Sequence, residues 1–379
     1  MTKILRRSDR SARPARRKAL SWGWLAGGAA VLAVAGLGLM PGEGDPVQSL
    51  LLSTIGSAKA SAHDGCNRPV ESLQRELDAI TAAFPGTVGI AVTRTGCDWM
   101  AGTRLDRHFP QQSVSKLWVS LAVLDAVDGG TMQLDDPLAI RPQDLTLFHQ
   151  PLRAEVAEYG VAVRPVSALM YEAITQSDNT ANDRLLWAVG GPDRVRRTLR
   201  AKAIEGIRFG PGERLLQSGV AGLTWSQDLS LGRNFELARA RLPRAEREAA
   251  LARYVADPVD GATPAGMAQA LSRLASGQLL SPQSTAVMMQ ILSQTHSGPR
   301  RLKAGAAPGW TVFHKTGTGQ ELGPVSTGYN DVGLLRAPDG ATYAVAVMIG
   351  ETTRPIPERM AMMQAVSRAV GQYHDSQLH

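Results

Sequence analysis

The sequence predicts an α+β domain of the three-layer α/β/α type, with one antiparallel five-stranded sheet between layers of helices. Strand-like segments lie near both ends of the chain, whereas residues 113 to about 292 have an almost wholly helical periodicity. The predicted strands are residues 87–93, 97–102, 310–314, 329–336 and 342–349, and a closing helix follows at residues 355–371. Both ends of the chain would therefore build the sheet, and the middle would form an all-helical lobe beside it.

A single transmembrane helix is predicted ahead of this domain. Residues 1–20 carry eight basic side chains and one acidic side chain, which account for the whole net charge of +7. Residues 21–40 are an uncharged apolar run of the length that a membrane-spanning helix needs, and the basic tail before them would stay in the cytoplasm. Residues 41–65 have the composition of a linker, so residues 66–379 are expected outside the cytoplasm, attached to the cell membrane. The alternative is a domain secreted to the periplasm after cleavage at Ala60-Ser-Ala62.

The composition excludes several classes of protein. With 44% hydrophobic and 20% charged residues over 379 positions, the chain is typical of a folded protein rather than a disordered one. Because the excess charge lies in the N-terminal tail and not on the domain, we expect no nucleic-acid partner. The seven histidines are scattered and no metal-binding spacing of Cys or His occurs, so no metal site is predicted. We expect the protein to be a monomer.

The start of the domain predicts a disulfide bond. Apolar residues spaced by three and four predict an amphipathic helix from Val70 to Phe84, directly before the first strand. If this helix packs antiparallel to that strand, its start lies near the turn Thr95-Gly96 that ends the strand. Cys66 would then reach Cys97, in a compartment where disulfides persist.

Three short motifs carry the candidate chemistry: Ser113-Val-Ser-Lys116, Ser177-Asp-Asn179 and Lys315-Thr-Gly317. Ser113 is predicted to open a hydrophobic helix, where the helix dipole favours developing negative charge, and Lys116 lies one turn further on the same face. A serine hydroxyl becomes a nucleophile when a neighbouring base takes its proton, and Lys116 can be that base. The three motifs in this order indicate a serine nucleophile at the entrance of a cleft.

The other two motifs are predicted to face Ser113 from opposite sides. Ser177 and Asn179 are expected in a loop of the helical lobe, between helices at residues 167–175 and 180–189. Lys315, Thr316 and Gly317 are expected to end a strand of the sheet, and Gly317 and Gly319 allow a substrate to approach the strand edge.

On these motifs the chain resembles the penicillin-recognising serine hydrolases, the superfamily of β-lactamases and D,D-peptidases, and most closely the class A β-lactamases. Other segments that resemble the family follow in the family's order: Gly190-Gly-Pro-Asp193, residues 257–268, Gly309-Trp310 and Asn330-Asp331. The likeness covers roughly residues 66–375. It implies that Ser113 attacks the carbonyl group of a β-lactam and forms an acyl-enzyme.

The resemblance also implies a role for each matching residue. Glu213, 36 residues after Ser177, would activate the water that hydrolyses the acyl-enzyme and would share the task of base with Lys116. Ser177 would pass a proton to the leaving nitrogen. The implied substrate contacts are Asn179, Lys315, Thr316, Gly317 and Thr318, and the backbone N–H groups of Ser113 and Thr318 would form the oxyanion hole. All of this chemistry uses side chains and water, so no cofactor is expected.

The chain departs from the family at three points. Pro211 stands where the family has an arginine paired with the aspartate that Asp260 resembles, so that ion pair is missing. Residues 218–256 are much longer than the family's loop and are predicted to form two helices, at residues 226–242 and 243–256. This insertion is either a lid on the cleft or a solvated addition. The arginine that assists binding of the substrate carboxylate has no clear match, and Arg354 is the nearest candidate.

Three functions remain open from the sequence. The first is hydrolysis of β-lactams with Glu213 in deacylation. The second is a D-alanyl-D-alanine carboxypeptidase that acts on peptidoglycan stem peptides and is acylated by β-lactams, in which Glu213 does not support deacylation. The third is a non-catalytic penicillin-binding-like domain, whose cleft the insertion would block.

Overall fold

A central antiparallel sheet joins the two ends of the folded domain. The computed structural model describes Cys66 and residues 69–378; the predicted tail, membrane span and linker at residues 1–20, 21–40 and 41–65 lie outside the described residues. The strands are β1 Thr87–Arg94, β2 Ala101–Thr103, β3 Phe109–Pro110, β4 Pro137–Ile140, β5 Ala162–Pro165, β6 Gly261–Ala262, β7 Thr311–Gly317, β8 Glu321–Leu322, β9 Val325–Arg336 and β10 Thr342–Thr352. In the part of the chain that the structure describes, no helix is long and apolar enough to cross a membrane.

The order of the central sheet is β2-β1-β10-β9-β7, with all neighbours antiparallel. The N-terminal strand β1 pairs with the C-terminal strand β10, for example Ile90 opposite Val347, which confirms that both ends of the chain build the sheet. The prediction of five strands was one short, because β8 pairs with β9 as a sixth. A strand of two residues is too short to show an alternating pattern in the sequence.

Helices cover both faces of the sheet. They are α1 Glu71–Ala83, α2 Lys116–Asp128, α3 Arg153–Tyr159, α4 Val166–Tyr171, α5 Asn179–Ala188, α6 Gly191–Ala201, α7 Glu213–Val220, α8 Asn234–Arg241, α9 Arg244–Ala256, α10 Pro264–Ala275, α11 Pro282–Ser293, α12 Leu302–Gly305 and α13 Ile356–Ser376. The first and last helices, α1 and α13, pack on one face with the short α12, and helices α2–α6, α10 and α11 share the core on the other face. These are the three layers that the sequence predicts.

Alternation along the central strand β10 explains the two hydrophobic cores. Val345 and Val347 belong to the core beneath α1 and α13, whereas Ala344 and Ala346 belong to the core beneath the helical lobe. Successive side chains of a strand point to opposite faces, so a central strand covered on both faces is apolar at nearly every position. Helix α2 is buried around most of its circumference, which makes it the central helix of the lobe.

The predicted disulfide between Cys66 and Cys97 is present. Helix α1 begins five residues after Cys66 and runs back along the sheet to β1, and the turn after β1 contains Cys97. Within the described residues no cysteine is free.

Several element boundaries differ from the prediction. The first insertion helix begins at Asn234 and not at residue 226, because residues Gln227–Ser230 form a 3-10 turn. Strand β7 extends through Gly317, so the Lys315-Thr-Gly motif lies inside the strand and does not follow it. The predicted helix at residues 167–175 is α4 followed by a π-helical turn, Glu172–Gln176, which delivers the chain to Ser177. Ser113 lies in the 3-10 turn Gln112–Ser115 ahead of α2 rather than in the α-helix itself.

Candidate active site

The backbone that presents Ser113 is held by buried side chains from distant parts of the chain. Gln112 has a left-handed conformation, with φ of 55°, and its N–H donates to Oδ2 of Asp260 at 2.8 Å. The amide of Asn330 on β9 donates to the carbonyl oxygens of Pro110 and Gln111 at 2.7 and 3.0 Å. A left-handed residue is costly outside glycine, so these contacts are what keep the turn in place.

Lys116 lies at the centre of the site. Its Nζ donates to Oγ of Ser113 and to Oδ1 of Asn179, each at 2.8 Å, and it forms a salt bridge with Oε1 of Glu213. Lys116 is fully buried and Glu213 is 3% exposed, so the ion pair is shielded from solvent. The structure therefore brings together Ser113, Lys116, Asn179 and Glu213 from four separate elements.

The second and third motifs meet across the cleft. Nζ of Lys315, on the edge strand β7, donates to Oγ of Ser177 at 2.9 Å. Burial, and then the positive charges of Lys116 and Arg301, hold the pKa of Lys315 well below its usual value. Ser177 has φ of 64°, and Asp178 beside it caps α5 by accepting from two backbone N–H groups. Asp178 thus has a structural role at the start of α5.

Asn179 is the first residue of α5 and not part of the preceding loop. Besides accepting from Lys116, it donates from Nδ2 to the carbonyl oxygen of Leu147 at 2.8 Å. Both ends of its amide are therefore engaged inside the protein, although the residue still lines the cleft.

Glu213 begins α7, where its carboxylate benefits from the free N–H groups of the helix start. Its own N–H donates to Oδ1 of Asp183 at 3.0 Å, and Oε2 accepts from Nε2 of Gln217 at 3.2 Å. Gln217 also donates to Oε1 of Gln112 at 2.9 Å, and its backbone oxygen accepts from Gln320 at 2.8 Å. These bonds fix Glu213 relative to the turn that carries the serine.

The aspartate whose family partner is absent has a different partner here. With Pro211 in place of arginine, Asp260 is fully buried and accepts from the hydroxyl of Tyr254, on α9 of the insertion, at 2.9 Å. Burial raises the pKa of Asp260 to about 6, and the backbone bond from Gln112 opposes that rise. Burial also raises the pKa of Tyr254 well above its usual value, so its hydroxyl stays neutral and can donate.

The sheet side of the cleft contains an arginine that the sequence did not identify. Arg301 donates from Nη1 to the carbonyl oxygens of Gly317 and Asn330 at 2.8 and 2.6 Å, and from Nη2 to Oγ1 of Thr318 at 2.6 Å. Its guanidinium lies over the ring of Tyr329, 3.7 Å from the centroid. The positive charge of Arg301 is thereby held against Thr318, at the end of β7.

Arg354 was the wrong candidate for an arginine at this position. It pairs with Glu358 near the start of α13 and does not line the cleft. No signal in the sequence separates Arg301 from its neighbour Arg300, because both follow the same Gly298-Pro turn and only the fold shows which one is buried.

The cleft between lobe and sheet is open and has a volume of about 460 Å³. The predicted residues that line it are Ser113, Ser177, Asn179, Thr316 and Thr318. The other predicted residues, Lys116, Glu213, Lys315 and Gly317, are buried directly behind this lining. The catalytic and substrate-binding residues that the sequence predicts therefore belong to the wall of one cleft.

The insertion forms part of the wall of this cleft. Phe235 of α8 packs edge to face on Phe148, with ring centroids 4.9 Å apart, and Arg239 of the same helix lines the cleft. A blocked, non-catalytic domain would need the insertion to fill the space in front of Ser113. The insertion instead lines the cleft and leaves it open.

The cleft lies between an antiparallel sheet and a helical lobe, and in it a serine is hydrogen-bonded to a buried lysine. This fold and this site define a penicillin-recognising serine hydrolase. The sequence model of the beta-lactamase enzyme family matches residues 72–374. The chain is 26% identical to Beta-lactamase VEB-1 of Pseudomonas aeruginosa over 289 residues, which are 76% of this chain and 85% of that protein. It is 25% identical to a beta-lactamase of Rhodobacter capsulatus over 303 residues, 80% of this chain and 88% of that protein.

Solved structures give the same result. An ancestral class A beta-lactamase is 29% identical to this chain and superposes with a TM-score of 0.62. The match covers 79% of this chain and 99% of that one. A beta-lactamase from Chitinophaga pinensis DSM 2588 shares the fold, with a TM-score of 0.65 at 22% identity over 80% of this chain and 99% of that one. The chain belongs to the class A β-lactamase family and is a serine hydrolase of that type.

Proposed function

We propose that this protein hydrolyses β-lactams through an acyl-enzyme on Ser113. The single observation that carries the proposal is the position of Nζ of Lys116, which donates to Oγ of Ser113 at 2.8 Å and is paired with the buried carboxylate of Glu213. A nucleophile within hydrogen-bond reach of a base, which is itself oriented by a third group, is the arrangement that activates a serine.

In the acylation step, Oγ of Ser113 attacks the β-lactam carbonyl carbon while its proton passes to the Lys116–Glu213 pair. The amide C–N bond then breaks, and Ser177, which accepts a hydrogen bond from Lys315, relays to the ring nitrogen the proton that the Lys116–Glu213 pair has taken, so Glu213 is again a carboxylate. Backbone N–H groups of Ser113 and Thr318 stabilise the negative oxygen, an interaction worth about 3 kcal/mol for one such donor. Asn179, Lys315, Thr316, Gly317 and Thr318 bind the substrate, and Arg301 adds positive charge for its carboxylate.

In the deacylation step, Glu213 takes a proton from a water molecule that attacks the ester carbonyl, and Ser113 recovers its proton as the ester C–O bond breaks. The contact of Glu213 with Lys116 and Gln217 supports this role. The burial of Glu213 in the site, rather than in solvent, favours a β-lactam hydrolase over a carboxypeptidase that β-lactams trap as an acyl-enzyme.

The test follows both protein and drug after the purified chain is mixed with excess benzylpenicillin. We expect unmodified protein and hydrolysed drug from the wild type, a persistent adduct of one drug molecule from Glu213→Ala, and neither from Ser113→Ala. A persistent adduct on the wild type would instead identify a carboxypeptidase-like enzyme. An unchanged turnover number in Glu213→Ala would exclude Glu213 as the deacylation base.

We further propose that residues 21–40 hold the catalytic domain at the outer side of the cell membrane. The basic tail before that segment and the disulfide after it support this location. After alkaline carbonate washing, the protein should remain with the membranes, and added protease should digest the domain in spheroplasts without lysis. Recovery of a processed, soluble domain in the periplasmic fraction would contradict the anchor.

A further inference from the structure

Helix α8 of the insertion holds one arginine against the cleft. Phe235 is buried in a small cluster with Leu147 and Leu229 and packs on Phe148, which fixes one face of the helix. Arg239 lies four residues later, on the same face, and lines the cleft. Nη2 of Arg239 donates to the backbone oxygen of Glu321 at 3.0 Å, so the guanidinium spans from the insertion to the sheet.

The positive charge of Arg239 is not balanced by a carboxylate. Among the residues that the structure describes, neither Arg239 nor Arg247 forms an ion pair, and the buried Nε atom of each makes no hydrogen bond. Burial, followed by the positive charge of Arg247, lowers the pKa of Arg239, yet a guanidinium remains charged at any physiological pH. The nearby carboxylate of Glu321 is already engaged by Ser326 and Arg359.

The position of Arg239 differs from that of the substrate-carboxylate end of the cleft. Arg301 binds Thr318, whereas Arg239 binds the backbone of Glu321, three residues further along the chain. This segment is extended and pairs with β9, so the two points are separated by about 10 Å at about 3.3 Å per residue. A substrate whose ring carboxylate lies beside Arg301 therefore has to extend its other end to meet Arg239.

We propose that Arg239 forms a second anion subsite of this cleft, and that the enzyme prefers β-lactams whose acylamino side chain carries a negative charge. The inference rests on the proposed β-lactam hydrolysis and names the substrate class. Arg239 has unused hydrogen-bond donors and lies in a partly buried wall of the cleft, with the cation Arg247 beside it. A carboxylate that binds under these conditions gains a strong charge-assisted hydrogen bond. The insertion thus supplies a determinant of specificity rather than a solvated addition.

The experiment uses two penicillins that differ by one carboxylate, benzylpenicillin and α-carboxybenzylpenicillin. The measured quantity is the ratio of kcat/KM for the charged substrate to kcat/KM for the neutral one, in the purified full chain. We expect Arg239→Gln to lower this ratio by about tenfold, and Arg239→Lys, which keeps the charge, to restore part of it. Arg241→Gln is the matched control, because Arg241 is exposed on the same helix and should leave the ratio unchanged. The wild-type ratio should also fall as salt rises.

Binding to Ser113→Ala separates this inference from the proposed function. In that background, the ratio of the two dissociation constants should shift on Arg239→Gln in the same way, without any turnover. If the wild type hydrolyses neither penicillin but the binding ratio shifts, hydrolysis is excluded and the anion subsite stands. An equal ratio in the wild type and in the folded Arg239→Gln variant, by both turnover and binding, would overturn the subsite.

Discussion

The hydroxyl of Tyr254 donates to Oδ1 of Asp260 at 2.9 Å and accepts from Nε2 of Gln112 at 2.6 Å. Asp260 in turn accepts from the backbone N–H of Gln112, the residue before Ser113. A tyrosine of the insertion is therefore part of the network that holds the nucleophile turn in its left-handed conformation. Pro211 stands where the family has the arginine that would pair with Asp260. The insertion supplies the neutral hydroxyl of Tyr254 as the donor to Asp260 instead.

Replacement of Tyr254 by phenylalanine should weaken both the fold and the reaction. The change leaves a buried carboxyl oxygen of Asp260 and the amide of Gln112 without this partner, at a cost of about 1–3 kcal/mol in the free energy of unfolding. Because Gln112 also binds Gln217 beside Glu213, deacylation should slow and acyl-enzyme should accumulate. Urea denaturation and mass spectrometry of the acylated protein measure the two effects. Tyr159→Phe, at a residue 67% exposed, is the control and should change neither.

The free energy of unfolding should depend on pH through two buried carboxyl groups. Burial raises the pKa of Asp183 and of Asp260 to about 6, from 3.8. A carboxyl group whose folded pKa is raised stabilises the fold when protonated, so its contribution is full below about pH 4 and is lost progressively as pH rises from about 4 through 6. Two pKa units correspond to about 3 kcal/mol for each group.

Urea denaturation from pH 4 to 7 on the wild type and on Asp260→Asn measures this contribution. The asparagine cannot ionise, so the stability of the variant relative to the wild type should rise with pH across that window. The same relative stability at pH 4 and pH 7 would show that the pKa of Asp260 is not raised in the folded protein. Asp135→Asn, at a carboxyl group away from these networks, is the control.

The short motifs and the family resemblance predicted Ser113, Lys116, Ser177, Glu213 and Lys315, whereas Tyr254, which lies in no such motif, was missed. Ser113 and Lys116 are one helical turn apart, so their contact follows from helix geometry. Tyr254 shows the opposite case, because its buried hydroxyl needs a partner and that partner is known only when Asp260 and Gln112 are placed. The spacing of Ala250, Leu251 and Tyr254 marks the buried face of α9 and was the available signal.

Arg301 and β8 were missed for different reasons. Arg300 and Arg301 are adjacent and have the same sequence pattern around them. Only the fold shows that it is Arg301 whose guanidinium lies over the ring of Tyr329. Strand β8 pairs with β9 through a short local hairpin, in which Glu321 lies opposite Ser326, and two residues are too few to show an alternating pattern in the sequence. The sheet, by contrast, was predictable from five alternating or apolar segments whose side chains fill two cores.

Gly317 tolerates no side chain, because β7 lies close to the turn that carries Ser113. A Cβ atom there would lie 2.4 Å from the carbonyl oxygen of Gln111. Gly317→Ala must therefore move the strand away from the serine, and displacement of this size should lower kcat/KM for benzylpenicillin by about 100-fold. Gly219→Ala is the control, because that position on α7 has no atom within 4 Å and alanine favours a helix. Equal kcat/KM in the two variants would contradict the close contact.

The disulfide between Cys66 and Cys97 should stabilise the domain by restricting its unfolded chain. The bond closes a loop with a sequence separation of 31, which corresponds to about 3–4 kcal/mol on the loop-entropy model. For a domain of this size, reduction should lower Tm by roughly 5 °C. The double variant Cys66→Ser, Cys97→Ser should melt at the temperature of the reduced wild type and should not respond to reductant. Because neither cysteine lines the cleft, we expect kcat at 25 °C to stay the same in both forms. A loss of kcat that parallels reduction would show that the N-terminal layer also holds the cleft.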